Sequence, residues 1–381
     1  VSQHPDDDPE RPFFATAARG TEGVLRDELK ELGLLRVKAS RGGVYFGGSF
    51  EHAVRACLGS RIAVRVLERQ ASFSASDADA LYEGARAVEW ERVLDARRTL
   101  AVDAQIRDTA VNSSAFAAQR VKDAIVDRLR DRLGARPSVD KRNPDVRVAL
   151  HWVGDHASVA LDVAGSSLHA RGYRLESGEA PLKETLAAAI VRLSGWDRRT
   201  AFIDPMCGAG TLAIEAAQWA HAIAPGLLRE RFGFERWLCH GDSERRVLTE
   251  LRQQARDEAL PANEGPPILA RDLDEKMLVF ARRNAARAGV RIEFARADVR
   301  TMARAPASAW LVTNPPYGER LAHSATFGRE LADALRRLRG WRACVLAQDR
   351  DLERAMRQKP LLEHALWNGP IECRLFAWQI V

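Results

Sequence analysis

The run Asn314-Pro315-Pro316-Tyr317 combines residue types suited to one unusual task, holding a planar amino group beside an electrophile. The asparagine side-chain oxygen can accept a hydrogen bond from an exocyclic NH₂ group. Pro315 fixes the backbone, and its carbonyl has no N–H on the same residue to compete with. Tyr317 offers a flat face on which a base can stack. The alternative is a plain turn, because Asn-Pro punctuates loops. The run follows the apolar Trp310-Leu311-Val312 and continues as Gly318-Glu319-Arg320.

An amino group held this way needs its electrophile nearby. Phe202-Ile203-Asp204-Pro205-Met206-Cys207-Gly208-Ala209-Gly210-Thr211 reads as a strand, a glycine-rich turn and the start of a helix carrying Leu212, Ile214 and Ala216. Glycines at 208 and 210 would let a ligand approach the backbone. The turn after the first strand of an open α/β sheet is a usual ligand position. A phosphate loop is excluded: there is no Gly-Lys-Ser/Thr, and the third glycine of the dinucleotide fingerprint is missing. Asp204 would repel a pyrophosphate and suits a cation better, such as the ammonium group of S-adenosylmethionine. Pro205, Cys207 and Thr211 of the same loop, together with Asn314, are further candidate cofactor contacts. A bare structural strand-turn-helix is the competing reading.

Asp272 ends the next candidate strand and can hold a ribose; Asp274 is the weaker candidate. Asp298 follows the strand after that and can accept a hydrogen bond from an adenine amino group. Singly, each aspartate is more often a helix cap or turn residue. At successive strand ends they favour a nucleoside.

Elements must position these residues. Short apolar strands at 201–203, 268–270, 292–295, 310–312 and 343–346 alternate with helical stretches, which implies a parallel, doubly wound sheet. Two further strand-like runs, at 365–367 and 375–381, flank Asn368-Gly369 and predict an antiparallel hairpin at the sheet edge. Upstream, the pattern is α+β. Helical spacing covers 23–32 and 50–58, and Val44-Tyr45-Phe46 is strand-like. Residues 99–106 alternate, as do Val146, Val148, Leu150 and Trp152, and then Val159, Leu161 and Val163, with Gly154-Asp155 as a hairpin turn. A helix over 116–133 carries Val121, Ile125, Leu129 and Leu133 on one face. Its other face interleaves Asp123, Asp127 and Asp131 with Arg128, Arg130 and Arg132, the pattern of a solvated, salt-bridged surface. The expected organisation is a disordered tail at 1–11, an α+β unit at 12–70, a second at 71–172, a Gly/Ser/Glu-rich linker at 173–181 and the α/β domain at 182–381.

The 381 residues are 46% hydrophobic and 29% charged, enough for a sizeable core. The net charge of +6 permits a polyanionic partner without proving one. No apolar stretch is long enough to span a bilayer, and the polar, acidic start argues against a secretory signal. Five dispersed cysteines, without C-x-x-C pairs, fit reduced thiols in a cytoplasm and argue against a metal site.

Asp204 to Thr211, Asp272 and Asn314 to Tyr317 together resemble the motifs of class I S-adenosylmethionine-dependent amino-group methyltransferases. Ala180 to Ala189, Ala224-Pro225-Gly226-Leu227, Phe232 to Trp237 and the extension to Arg320 narrow the resemblance. It is to the RlmL-type 23S rRNA guanine-N2 methyltransferases, whose relatives are often labelled N6-adenine DNA methylases. The resemblance implies a Rossmann-like class I methyltransferase sheet preceded by ferredoxin-like (12–70) and THUMP RNA-binding (71–172) domains. It implies S-adenosylmethionine as cofactor, and as partner 23S rRNA or its assembly intermediate, with tRNA or an N6-adenine substrate as alternatives. Some members carry a second methyltransferase domain; this sequence carries the first, so one modification is expected. Lys141, Arg142, Arg171, Arg174 and Arg320 are candidate RNA contacts, each otherwise an ordinary surface cation. Neither a membrane nor a metal is expected to be a partner.

Overall fold

The computed structural model describes residues 11–174, 182–302, 306–316 and 326–381. Its strands form two sheets. The first is built by β1 (Arg11–Thr16), α1 (Glu22–Glu31), β2 (Leu35–Ser40), β3 (Gly43–Gly48), α2 (Phe50–Gly59), β4 (Arg65–Ser74), α3 (Ala78–Arg86), β5 (Thr99–Arg107), α4 (Ser114–Leu133), β6 (Ser138–Val139), β7 (Val146–Val153) and β8 (His156–Asp162). The strand order is β2-β3-β1-β4-β8-β7-β5-β6.

The two expected N-terminal units share this sheet. One end of β4 pairs with β1, from Phe13↔Glu68 to Thr16↔Arg65, and most of its length pairs with β8, from Leu67↔Asp162 to Ser74↔His156. The boundary expected at 70/71 therefore falls inside a continuous strand, because the ladder hydrogen bonds of β4 serve both halves. The predicted alternation of β7 is present: Val146, Val148, Leu150 and Trp152 are all buried. In α4 the apolar stripe ends at Leu129, and Leu133 is 47% exposed. The charged face of α4 is not simply solvated. Arg128 pairs with Glu91 at 2.7 Å, Arg86 with Asp131 at 2.6 Å, and Tyr82 donates to Asp127 at 2.8 Å, so these charges bind α4 to its neighbours.

The second sheet is built by α5 (Glu184–Leu193), β9 (Phe202–Asp204), α6 (Thr211–Ala220), α7 (Asp242–Asp257), β10 (Ile268–Asp272), α8 (Glu275–Arg287), β11 (Glu293–Arg296), β12 (Trp310–Thr313), α9 (Phe327–Arg336), β13 (Arg342–Ala347), α10 (Asp351–Met356), β14 (Leu362–Asn368) and β15 (Ile371–Gln379). Its order is β11-β10-β9-β12-β13-β15-β14. Five strands are parallel, and β15 inserts antiparallel between β13 and β14, which is the predicted edge hairpin. The order reverses between β9 and β12, and open sheets of this kind form a ligand crevice at such a reversal, outside the carboxyl ends of the strands.

The segment between α6 and β10 reaches back to the first sheet. Phe232, Phe234 and Trp237 are buried in the same apolar cluster as Phe50, Leu94 and Val163. Each such side chain contributes about 1.5–3 kcal/mol by leaving water. Arg229 donates to the carbonyls of Ala164, Ser166, Ser167 and Ala170. Gly226 permits a close approach to α2: a Cβ there would lie 2.8 Å from the Cα of Leu58. The insertion is thus a clasp between the two sheets.

Candidate functional site

A cavity of about 1100 Å³ opens at the carboxyl ends of β9 to β12. Asp204, Gly208, Asp272, Asp298 and Asn314 all line it, so five residues separated by up to 110 positions in the chain meet there. Pro205, Cys207 and Thr211 complete the wall contributed by the loop after β9.

Asp204 is 1% exposed. Its Oδ1 accepts hydrogen bonds from the Thr313 hydroxyl at 2.8 Å and from the Met206 amide at 3.3 Å. Burial pushes its carboxyl up to about 7, because loss of water disfavours the charged form more than these two bonds favour it. A cation entering the cavity would replace the missing solvation.

The loop is fastened to β10 on both sides. The Cys207 amide donates to the Arg271 carbonyl at 2.8 Å, and the Gly208 amide donates to Asp272 Oδ2 at 2.7 Å. Gly208 has φ +53° and faces the cavity. Gly210 serves differently from the expectation: it starts α6 with φ +85°, and a Cβ there would lie 3.1 Å from Ala281 Cβ on α8. Its lack of a side chain lets α6 pack closely on α8, and Gly210 is not among the residues lining the cavity.

Asp272 also accepts the Asp274 amide, on Oδ1 at 3.0 Å. Asp274 itself caps α8 by accepting the Lys276 amide at 2.8 Å, so its side chain has a structural partner. Asp298 begins a short 3-10 turn and lies in the cavity wall with both oxygens on Arg300, the nearest at 2.6 Å. Arg300 holds its carboxyl below the usual carboxylate range.

Beyond β12, Asn314 Oδ1 is buried and has no hydrogen-bond partner among the described residues. A buried acceptor without a donor costs about 1–3 kcal/mol, and a ligand N–H would recover that. Pro315 is buried and Pro316 exposed. Both prolines also border a second cavity, of about 850 Å³, between α9 and α10. Tyr317 lies outside the described residues, and so does Arg320.

Two expected RNA contacts are corrected. Arg171 is 1% exposed; it donates to the carbonyls of Leu168 and Arg61 and pairs with Glu215 at 3.4 Å. Arg174 pairs with Glu184 at 2.9 Å and donates to the Leu182 carbonyl and the Thr211 hydroxyl. Arg171 is an internal strut behind α6 with its charge buried against a carboxylate, and Arg174, its side chain 15% exposed, is tied down by a carboxylate too. Tyr173, placed in the expected linker, is buried too and donates to Glu215 at 2.9 Å. Lys141 and Arg142 are exposed on the loop before β7.

Leu182 and Lys183 of the Ala180 to Ala189 motif also line the cavity, a place the sequence reading did not give them. Sequence reasoning missed Phe327 and Gln348, which carry no local signal, and saw Asn368 and Gly369 only as a turn. Among the described residues no group of His, Cys, Asp and Glu side chains could hold a metal ion, and no helix is long and apolar enough to cross a membrane.

Comparison with known proteins fits this geometry. Three family models match in succession: an RlmL ferredoxin-like domain at 12–67, a THUMP domain at 75–162 and an RMKL-like methyltransferase domain at 171–377. The ribosomal RNA large subunit methyltransferase K/L of Syntrophotalea carbinolica is 44% identical over 97% of this chain and 53% of its own length. The chain spans about half the length of the curated relatives it matches. Among solved structures, SMU.472, described as a methyltransferase complexed with SAH, is 30% identical with a TM-score of 0.86 over 97% of this chain and 98% of its own. A protein of Listeria monocytogenes, described as a predicted N6-adenine-specific DNA methylase, is 31% identical with a TM-score of 0.84 over 97% and 96%. With more than half its length matched by the methyltransferase model and the cavity built from that segment, the chain belongs to the RMKL-like methyltransferase-domain family.

Proposed function

We propose that this chain methylates the exocyclic N2 amine of a guanine in RNA, and that the RNA is 23S rRNA. The observation that carries the reading is the buried Asn314 Oδ1, without a partner among the described residues, at the rim of a cavity that also holds Asp204 and Asp272. The residues present fit S-adenosylmethionine: Asp204 suits its ammonium group, Asp272 its ribose hydroxyls and Asp298 its adenine amine, beside the open backbone at Gly208. That cofactor supplies an electrophilic methyl group on a sulfonium.

The work of the protein is then positional. An exocyclic amine is a poor nucleophile because its lone pair is delocalised into the ring. Asn314 Oδ1 and the Pro315 carbonyl can each accept one of its N–H groups, holding the nitrogen lone pair toward the cavity. This is orientation plus electrostatics, with no general base required. The cavity beside Pro315 and Pro316 has room for a base taken out of its helix. The names of the relatives and the N-terminal ferredoxin-like and THUMP matches favour rRNA; guanine follows from the resemblance of the site motifs.

The test is mass spectrometry of nucleosides from the rRNA and tRNA of a deletion strain. Loss of N2-methylguanosine from 23S rRNA, restored by the wild-type gene and not by Asn314→Ala, is the expected result. Loss confined to tRNA, or loss of N6-methyladenosine, would overturn the substrate assignment.

A further inference from the structure

The first four strands carry an aromatic pair that the catalytic reading does not use. In the order β2-β3-β1-β4, the two central strands of this half are β3 and β1. One face packs against α1 and α2 and supplies the core: Phe13, Ala15, Val44, Phe46 and Val66 are each 3% exposed or less. By strand alternation, the opposite face carries Phe14 of β1 and Tyr45 of β3. These are direct cross-strand partners, with ring centroids 4.7 Å apart, and Tyr45 is 46% exposed. The core has no need of them, since it lies on the other side of the sheet.

Their surroundings suit a nucleic acid strand. Gly43 lets the Phe14 ring lie across β3: a Cβ there would come within 2.6 Å of that ring. The register row through the pair runs Lys38, Tyr45, Phe14, Leu67, Asp162. Lys38 is exposed at one end. Asp162, the carboxylate at the other end, is 1% exposed and neutralised by an ion pair with Arg65. Arg41 in the β2–β3 turn and Arg69 on β4 add exposed cations at the rim. Two aromatics on adjacent strands of an open sheet face, with cations around them, resemble the arrangement by which RNA-recognition folds stack unpaired bases, here in one half of an eight-stranded sheet.

The loop that follows β1 also reaches the catalytic half. The chain leaving β1 touches β14, where Arg19 stacks on Trp367 at 3.8 Å and His364 meets the Gly20 carbonyl at 2.7 Å. The next residues, Asn368 and Gly369, line the cavity.

We propose that this open face binds single-stranded RNA by stacking bases on Phe14 and Tyr45, with phosphates on Lys38, Arg41 and Arg69. The proposal rests on the reading of RNA as substrate and adds a second contact, remote from the modified nucleotide.

The test uses the full chain and a fluorescein-labelled, mixed-sequence single-stranded RNA, with the same RNA as a duplex for comparison, read by anisotropy. Tyr45→Ala should weaken single-strand binding about tenfold, and Tyr45→Phe should bind as wild type. Lys38→Ala should lower the dependence of log K on log salt by about 0.7. In methyl-transfer assays Tyr45→Ala should raise the RNA KM and leave kcat and the melting temperature unchanged. A 4-thiouridine crosslink should fall on the peptides containing Phe14 or Tyr45. Wild-type affinity in Tyr45→Ala, an equal loss in Tyr45→Phe, or tighter binding of the duplex would overturn the platform. The two readings fail separately. RNA methylation with unaffected variants removes the platform alone. Tyr45-dependent binding without methyl transfer removes the catalytic reading alone. A wild-type chain that binds no single-stranded RNA overturns the platform.

Discussion

The hydroxyl of Thr313 donates to Asp204 Oδ1 at 2.8 Å, tying the end of β12 to the end of β9 across the reversal in strand order. Both residues are fully buried, and Asn314 follows directly on Thr313. The residue expected to hold the amine is thus anchored, through one hydrogen bond, to the residue expected to hold the cofactor.

Asp204 should make both stability and cofactor binding depend on pH. Its carboxyl stands at about 7 in the folded protein and near 3.9 in an unfolded chain. The folded state keeps a proton that the unfolded state loses, so this contribution is fully present below about pH 4 and is lost as pH rises through 7. The loss amounts to about 4 kcal/mol by pH 8. Asp204→Asn should therefore raise the melting temperature of the free protein more at pH 8 than at pH 4. A cation binds only the ionised form well, so wild-type affinity for S-adenosylmethionine should rise from pH 6 to pH 8, with proton release seen by calorimetry in buffers of different ionisation heat. Asp204→Asn should flatten that profile, and a wild-type profile without slope would remove Asp204 from the ammonium site.

Asp272 and Asp274 can be told apart by which measurement each disturbs. Asp272 holds the Gly208 amide at 2.7 Å and lines the cavity. Asp272→Ala should weaken cofactor binding at least tenfold, through the lost ribose contact and a loosened loop. Asp274→Ala removes an N-cap and should cost about 1 kcal/mol of stability while leaving cofactor affinity near wild type. Calorimetric titration and urea unfolding of both variants give the answer.

Arg171 illustrates where charge misleads a reader of sequence. It looks like a surface cation, yet its side chain is 2% exposed and its partner Glu215 is 0% exposed. Arg171→Met would leave a carboxylate buried without its cation, at a cost of about 3–5 kcal/mol. Urea unfolding should show that loss, while the salt dependence of RNA binding stays unchanged. An altered salt slope with intact stability would return Arg171 to the RNA surface.

The catalytic half was legible because its signals are local. Each signal is written within a few residues: a short apolar run, then two glycines after β9 or an aspartate at the strand end. The first sheet was less so. That β4 joins both halves depends on pairing with β1 and β8, which lie far away in the chain. Phe232, Phe234 and Trp237 stood out as a motif, but their place in the N-terminal core depends on a long-range return of the insertion. Gly210 was read as making room for a ligand; a Cβ there would crowd Ala281, on α8. Lining residues such as Gln348 carry no pattern, because a cavity wall requires only proximity.

Asn314 offers a sharp separation of function from stability. Its Oδ1 is buried without a donor among the described residues, so truncation removes an unsatisfied acceptor and sacrifices no hydrogen bond from that atom. Asn314→Ala should leave the melting temperature unchanged or slightly raised, the signature of a residue kept for its activity. Cofactor affinity should stay within a few fold of wild type, since the Asp204 and Asp272 contacts are intact. Methyl transfer to RNA should fall by at least a hundredfold in kcat, because the amine loses the acceptor that orients it. Asn314→Asp is the more demanding variant. It retains an acceptor at the same place but puts a second carboxylate near buried Asp204, so its activity should recover in part only where one of the two is protonated. A kcat for Asn314→Asp that rises as pH falls from 8 to 6, measured with saturating cofactor, would show that the oxygen itself does the orienting; an Asn314→Ala enzyme with near-normal kcat would show that it does not.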